Sequence, residues 1–247
     1  MNYNRRGGRN YFVRKDSRYS GACNVSGHSH GDTIADELYC HIPVTIISMC
    51  LSLIIMVFIC EIFSIYAGFE KLVYGKFFHI CHYTHILFAS MGSIATFLRF
   101  SRSSYLWGAV TSLINSMLFC SLSDIVLPSF VSKILGKSIN MHICLFNSQD
   151  LFNILVFGFL GIICGVCMSF GEKRQSSSLC KKIHAGHIWM SCLAALFYIF
   201  SQNSVQFIDF AGTIVIALSC AVVVPCVLSD VLVPIVLVKH MKKWKLL

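Results

Sequence analysis

Two sets of residues in this sequence carry the side chains that bind transition metal ions. Each set contains three histidines, one aspartate and one cysteine. The first set is His82, His85, His142, Asp124 and Cys120; the second set is His184, His187, His41, Asp230 and Cys226. Neutral imidazoles with a carboxylate, and with a thiolate as an additional ligand, suit Zn²⁺, Fe²⁺ or Mn²⁺. The sets predict metal binding, with hydrogen bonding at helix ends as the alternative.

The spacing within each set places the side chains on one face of a helix. Each set has a pair of histidines three residues apart, and residues at i and i+3 lie on the same helical face. The cysteine precedes the aspartate by four residues in both sets, which keeps the thiol and the carboxylate on one stripe. Ser123 and Ser229 immediately precede the aspartates, and we expect their hydroxyl groups to orient a ligand.

The two sets belong to an internal repeat. Residues 120–128 read CSLSDIVLP and residues 226–234 read CVLSDVLVP, with five identical positions. The histidine pair and the single histidine recur in the same order, and the three elements repeat at offsets of 101, 102 and 106 residues. Three elements in register predict two related halves, residues 41–138 and 139–240.

The composition excludes an ordinary water-soluble domain. Hydrophobic residues make up 56% of the 247 residues, charged residues only 13%, and the mean hydropathy is +0.71. A soluble domain carries roughly a quarter charged residues. Six apolar runs are long enough to cross a bilayer as helices, with the sixth tilted or broken near Pro225. These runs fall near 42–66, 80–100, 105–129, 149–171, 184–202 and 206–238.

The basic residues predict the orientation of these spans. With both termini in the cytoplasm, 16 of the 20 lysines and arginines lie on the cytoplasmic side, including those of a polar, disordered tail at 1–40 and a basic tail at 241–247. The net charge of +9 follows from this bias, so we expect no nucleic-acid partner. Because three spans per half is an odd number, the second half enters the membrane inverted. The fold class is therefore an all-α polytopic membrane protein of two inverted three-helix repeats.

This topology assigns each ligand set to one membrane face. The set around Asp124 is expected near the outer face, and the set around Asp230 near the inner face. In both sets, two helices of one repeat meet the first helix of the other. In the span after 149, Gly161 and Gly165 form a small-xxx-small pair that would let a neighbouring helix approach closely.

These features favour a multi-pass transporter or carrier in a cell membrane or an inner membrane. Its substrate would be a divalent transition metal ion or a small solute, and the lipid bilayer and a second copy of the chain are further candidate partners. An enzyme is less favoured. The alternatives are a membrane oxidoreductase whose repeated histidines ligate haem or iron, and a non-catalytic membrane assembly protein in which these residues join helix ends.

Overall fold

A computed structural model of the chain describes most of the sequence. The residues that the structure describes are 34–64, 70–101, 104–136, 141–170, 177–202 and 211–243. These residues are helical almost throughout and contain no β-strand. The boundary between the two predicted repeats, at residues 138 and 139, lies outside them, as do the tail residues 1–33 and 244–247.

Eight α-helical segments follow one another along the described chain. They are α1 (Ile34–Ser64), α2 (Glu70–Phe100), α3 (Tyr105–Ser121), α4 (Leu127–Ile134), α5 (Ser148–Phe170), α6 (Ser177–Gln202), α7 (Ala211–Val227) and α8 (Val233–Lys243). A short 3₁₀ turn, Cys144–Phe146, precedes α5. The remaining joints, between α3 and α4 and between α7 and α8, are helical as well.

Both joints are single π-helical turns, and both contain the repeated Ser-Asp motif. One is Leu122–Val126 and the other is Leu228–Leu232. In each case a proline follows six residues after the first residue of the turn, Pro128 and Pro234. Proline lacks an N–H group and its ring clashes with the carbonyl four residues earlier, so the backbone widens there. The two motif copies thus share a rare local conformation that often marks functional sites.

Helices α2 and α6 form the centre of the bundle. They pack against each other, and each also packs against the first helix of the other half: α2 against α5, and α6 against α1. The π turn of each half likewise contacts the central helix of the other half. All ten residues from Ser191 to Phe200 on α6 are buried. The two halves are therefore interlocked rather than side by side.

The outer helices present apolar side chains to the surroundings. Exposed isoleucine, leucine, valine and aromatic residues are concentrated on α1, α3 and α5, for example Ile47, Leu106 and Phe152. Three helical stretches of the described residues are long and apolar enough to cross a membrane: His41–Ile59, Tyr105–Ile134 and Ser148–Phe170. A shorter apolar helix covers Gly212–Val227. This apolar exterior indicates membrane association.

The predicted close approach at Gly161 and Gly165 is confirmed, and the neighbouring helix is α2. A Cβ atom added at Gly161 would lie 2.2 Å from the carbonyl oxygen of Leu87, and one at Gly165 would lie 2.6 Å from that of Met91. Only hydrogen fits in these gaps. The glycines therefore set how closely α5 packs against the central helix.

Helices α2 and α6 begin well before the apolar runs that predicted them, and this corrects the expected position of the histidines along these helices. α2 begins at Glu70 rather than near residue 80, and α6 begins at Ser177 rather than near 184. Charged residues such as Glu70, Lys71 and Lys76 lower the hydropathy without ending a helix, because their backbone hydrogen bonds form equally well. The α-helix of the sixth run continues through Pro225 and is interrupted just after it by the π turn Leu228–Leu232. The histidine pairs thus lie well inside α2 and α6 and not at their starts.

Candidate metal centre

The Asp124 carboxylate lies at the centre of a fully buried hydrogen-bond network. Asp124 Oδ2 accepts hydrogen bonds from His82 Nδ1 and His85 Nδ1, both at 2.8 Å. Its Oδ1 accepts from Ser123 Oγ at 2.7 Å and from Ser191 Oγ at 2.9 Å. The π turn presents Asp124 and Ser123 to α2, and α6 supplies Ser191. Ser123, which we expect to orient a ligand, donates a hydrogen bond to Asp124, one of the predicted ligands.

These hydrogen bonds direct the second nitrogen of His85 toward a group of potential ligands. An imidazole that donates Nδ1–H to a carboxylate keeps its lone pair on Nε2, as in carboxylate–histidine–metal arrangements. His85 Nε2 lies 3.1 Å from His187 Nε2, 3.7 Å from Cys120 Sγ and 3.9 Å from Cys226 Sγ. The ligand atoms of His85, His187 and Cys226 all lie within 4.8 Å of one another, and all three residues are buried.

The distances match those between ligands of one small metal ion. Two imidazole nitrogens bound to a tetrahedral Zn²⁺ are roughly 3.3 Å apart, and a nitrogen and a thiolate sulfur roughly 3.6 Å apart. The observed separations of 3.1 and 3.9 Å are close to these values. A haem held by two histidines requires its macrocycle plane between the two nitrogens. The direct contact between His85 and His187 leaves no space for that plane, so the spacing favours an ion over haem.

The charge of the network also favours a cation. An ionised Asp124 with two neutral imidazoles carries one negative charge, and no lysine or arginine forms an ion pair with Asp124 among the described residues. Burying an uncompensated charge costs several kcal/mol. In addition, His82 Nε2 is buried and has no hydrogen-bond partner in the described part of the chain. A bound cation near these nitrogens would offset both costs.

The two predicted ligand sets are not separate, which corrects the picture of one set near each membrane face. His85 of the first set contacts His187 and Cys226 of the second. His187 in turn stacks on His184, with ring centroids 6.1 Å apart, and His184 contacts His41 through their Nε2 atoms. One continuous row of side chains therefore connects the two sets.

His142 does not join the Asp124 network, contrary to the expected grouping. It lies in the segment before α5, where its Nε2 is 3.2 Å from Asp150 Oδ2. Asp150 also lies 3.8 Å from His79 Nδ1. Beside them, Cys144 Sγ is 4.0 Å from His79 Nδ1, and burial with the nearby Asp150 raises the pKa of this thiol to about 12. Tertiary contacts thus place His142 in a second cluster, apart from Asp124.

The remaining predicted residues, Cys120, Asp230 and Ser229, differ in where they lie and in how much of them the structure describes. Cys120 lies beside His85, as its spacing from Asp124 suggested. The backbone of Asp230 forms part of the second π turn, but its side chain lies outside the described residues. Ser229 is buried, and its carbonyl accepts a hydrogen bond from Asn115 Nδ2 at 2.6 Å.

Three residues of these clusters were missed by the sequence analysis: His79, Asp150 and Ser191. His79 precedes His82 by the same three residues that separate His82 from His85, so the helical spacing could have identified it. Asp150 at the start of an apolar run reads as an ordinary helix N-terminal acid. Ser191 carries no signal, because its role depends on the packing of α6 against the π turn.

Comparisons of this chain with protein-family models, with curated proteins and with solved structures find no match.

Proposed function

We propose that this protein is a six-span membrane carrier for a divalent transition metal ion. The ion would bind at the centre of the bundle to His85, His187 and Cys226, with Cys120 adjacent. Zn²⁺ suits this mixture of imidazole and thiolate best. The observation that carries the proposal is that each half contributes its equivalent histidine and cysteine to one buried cluster.

The equivalence of the ligands supports an inverted repeat. His85 and His187 correspond in the two repeats, and they meet each other; Cys120 and Cys226 also correspond, and both lie near His85 Nε2. The matched π turns and the reciprocal packing of first and central helices agree with the same relation. Substrate sites between inverted repeats are typical of secondary transporters.

The burial of the centre means that a carrier would have to change conformation to load and release the ion. His85, His187 and Cys226 are each at most 2% exposed. An ion held there could neither enter nor leave unless the helices move. In a carrier with inverted repeats, such movement exposes the site to one side and then to the other. The buried arrangement would then correspond to the occluded state of the transport cycle.

Transport assays on paired variants test this proposal. The full chain would be reconstituted in liposomes that contain a Zn²⁺-sensitive dye, and Zn²⁺ influx would be followed for wild type, His85→Ala and His187→Ala. We expect each variant to lose at least about tenfold in initial rate, since losing even an indirect ligand partner lowers metal affinity 10–100-fold.

Thr84→Ala is the matched control for these assays. Thr84 neighbours His85 on α2, and its hydroxyl donates only to the carbonyl of Ile80, at 2.8 Å. This variant should transport Zn²⁺ like wild type. Equal influx in wild type, His85→Ala and His187→Ala, with all three proteins folded, would contradict the carrier function. A haem absorption band in the purified protein would favour the oxidoreductase alternative.

A further inference from the structure

We propose that His79, His142 and Asp150 form a second metal site, which captures the ion before it reaches the buried centre. The capture role rests on the proposed carrier function, whereas the metal site itself does not. The three residues come from α2, the segment before α5, and the start of α5. Their ligand atoms all lie within 4.8 Å of one another.

The local contacts orient these side chains toward a common point. His142 Nε2 lies 3.2 Å from one oxygen of Asp150, and His79 Nδ1 lies 3.8 Å from the other. Tyr83 donates a hydrogen bond to Asp150 Oδ1 at 2.7 Å, which fixes the carboxylate. The backbone N–H of His142 donates to the hydroxyl of the buried Tyr198 at 3.2 Å and anchors the segment. Two imidazoles and one carboxylate suit Zn²⁺, Mn²⁺ or Fe²⁺.

Unlike the centre, this cluster is accessible. The side chains of His142 and His79 are 47% and 33% exposed, and that of Asp150 is 12% exposed. A surface pocket lined by Met141, His142 and neighbouring residues opens beside it. Three protein ligands leave coordination positions for water, which allows an ion to be exchanged. The cluster is therefore suited to loading and release rather than to permanent binding.

Histidines on α2 connect the accessible cluster to the buried centre. His79, His82 and His85 follow at intervals of three residues, so each step along the helix is about 4.5 Å. His79 belongs to the accessible cluster, His82 bonds to Asp124, and His85 belongs to the centre. His82 lies between His79 and His85 along α2, and its buried Nε2 lacks a hydrogen-bond partner among the described residues. It supplies an intermediate ligand for an ion that passes inward.

The test counts the ions that bind to the purified full chain. Zn²⁺ bound at equilibrium would be measured by dialysis and elemental analysis for wild type, His142→Ala and Asp150→Asn. We expect wild type to bind two ions and each variant to bind one, with the affinity of the lost ion lowered at least about tenfold. Met141→Ala changes an exposed neighbour in the same pocket and should still bind two. Asp150→Asn changes a largely buried side chain and could fail to fold. His142→Ala changes an exposed side chain, so this variant should fold and keeps the test decisive.

A Co²⁺ titration separates failure of this site from failure of the central one. Co²⁺ bound through Cys226 gives a thiolate charge-transfer band in the near ultraviolet, which Cys226→Ser should remove. We expect His142→Ala to lose one Co²⁺ and keep this band. A single ion that responds to His85→Ala but not to His142→Ala would overturn the capture site alone. A single ion with the opposite response would support the accessible metal site but overturn the central site and, with it, the capture role.

Discussion

Asp124 determines, at the scale of single residues, which nitrogen of His85 is available to a metal. Its carboxylate holds the Nδ1–H groups of His82 and His85 on one oxygen and two serine hydroxyls on the other. All of these groups are buried, so their hydrogen bonds lie in a medium of low dielectric, where they are strong and costly to leave unmade. In the proposed metal centre, Asp124 would therefore be a positioning residue that acts on the ion through the histidine.

Replacing Asp124 with asparagine tests this positioning role. In Asp124→Asn, an amide N–H₂ group would face imidazoles that donate, and we expect His85 to change tautomer and lose its Nε2 lone pair. Zn²⁺ affinity at the centre should fall by about 10–100-fold, measured by competition with a chromophoric chelator. Ser191→Ala removes one hydrogen bond to the carboxylate, worth about 1.5–3 kcal/mol, but leaves both imidazole bonds in place, and it should lower the affinity less. Unchanged affinity in Asp124→Asn would show that the carboxylate does not orient the ligand.

The joint between helices is the feature that matters most at the scale of elements. In both halves a π turn brings the Ser-Asp motif to the central helix of the other half. The glycines of α5 also position α2. Because they have no side chain, the two backbones lie so close together that an added Cβ atom would clash with a carbonyl of α2. The positions of His79, His82 and His85 therefore depend on residues that carry no ligand atoms.

A methyl group at Gly161 should separate α5 from α2. Gly161→Ala places a Cβ atom 2.2 Å from the Leu87 carbonyl oxygen, and we expect a loss of about 1–3 kcal/mol in the free energy of unfolding. Denaturant unfolding in detergent measures this loss. Gly75→Ala is the control, because nothing lies within 4 Å of its added Cβ atom. A Gly161→Ala protein as stable as Gly75→Ala would contradict the observed closeness of the two helices.

Among the described residues, the buried polar side chains lie within a large apolar core, and apolar side chains also cover much of the exterior. The two central helices carry the histidine pairs and are the most enclosed, whereas the outer helices expose large apolar side chains. This arrangement explains why α2 and α6 fall short of the apolarity expected of isolated spans, although they lie at the centre of the bundle. The surrounding helices cover α2 and α6, so these two helices need little direct contact with lipid.

Glycosylation in microsomes tests the orientation of the molecule. We expect the natural acceptor sequence Asn24-Val25-Ser26 in the N-terminal tail to stay unmodified, since that tail is predicted to be cytoplasmic. An acceptor sequence inserted at 137–140 should be modified, and one inserted at 171–176 should not. Modification of Asn24, or the reverse pattern at the two insertions, would show that the predicted orientation is wrong.

The sequence by itself determined the properties that depend on neighbours along the chain. The helical class, the apolar stretches, the recurrence of the Ser-Asp motif and the shared face of His82 and His85 all follow from composition and from spacing at helical intervals. The close packing at Gly161 could also be predicted, because a small residue permits approach whichever helix arrives.

Only the tertiary structure decided which ligands meet. Spacing along a helix does not specify the point at which two helices cross. His85 meets His187 at the centre, while His142 pairs with Asp150 and His79 near the surface. Contacts between distant parts of the chain are determined by packing against many residues at once, so a local sequence pattern does not specify them.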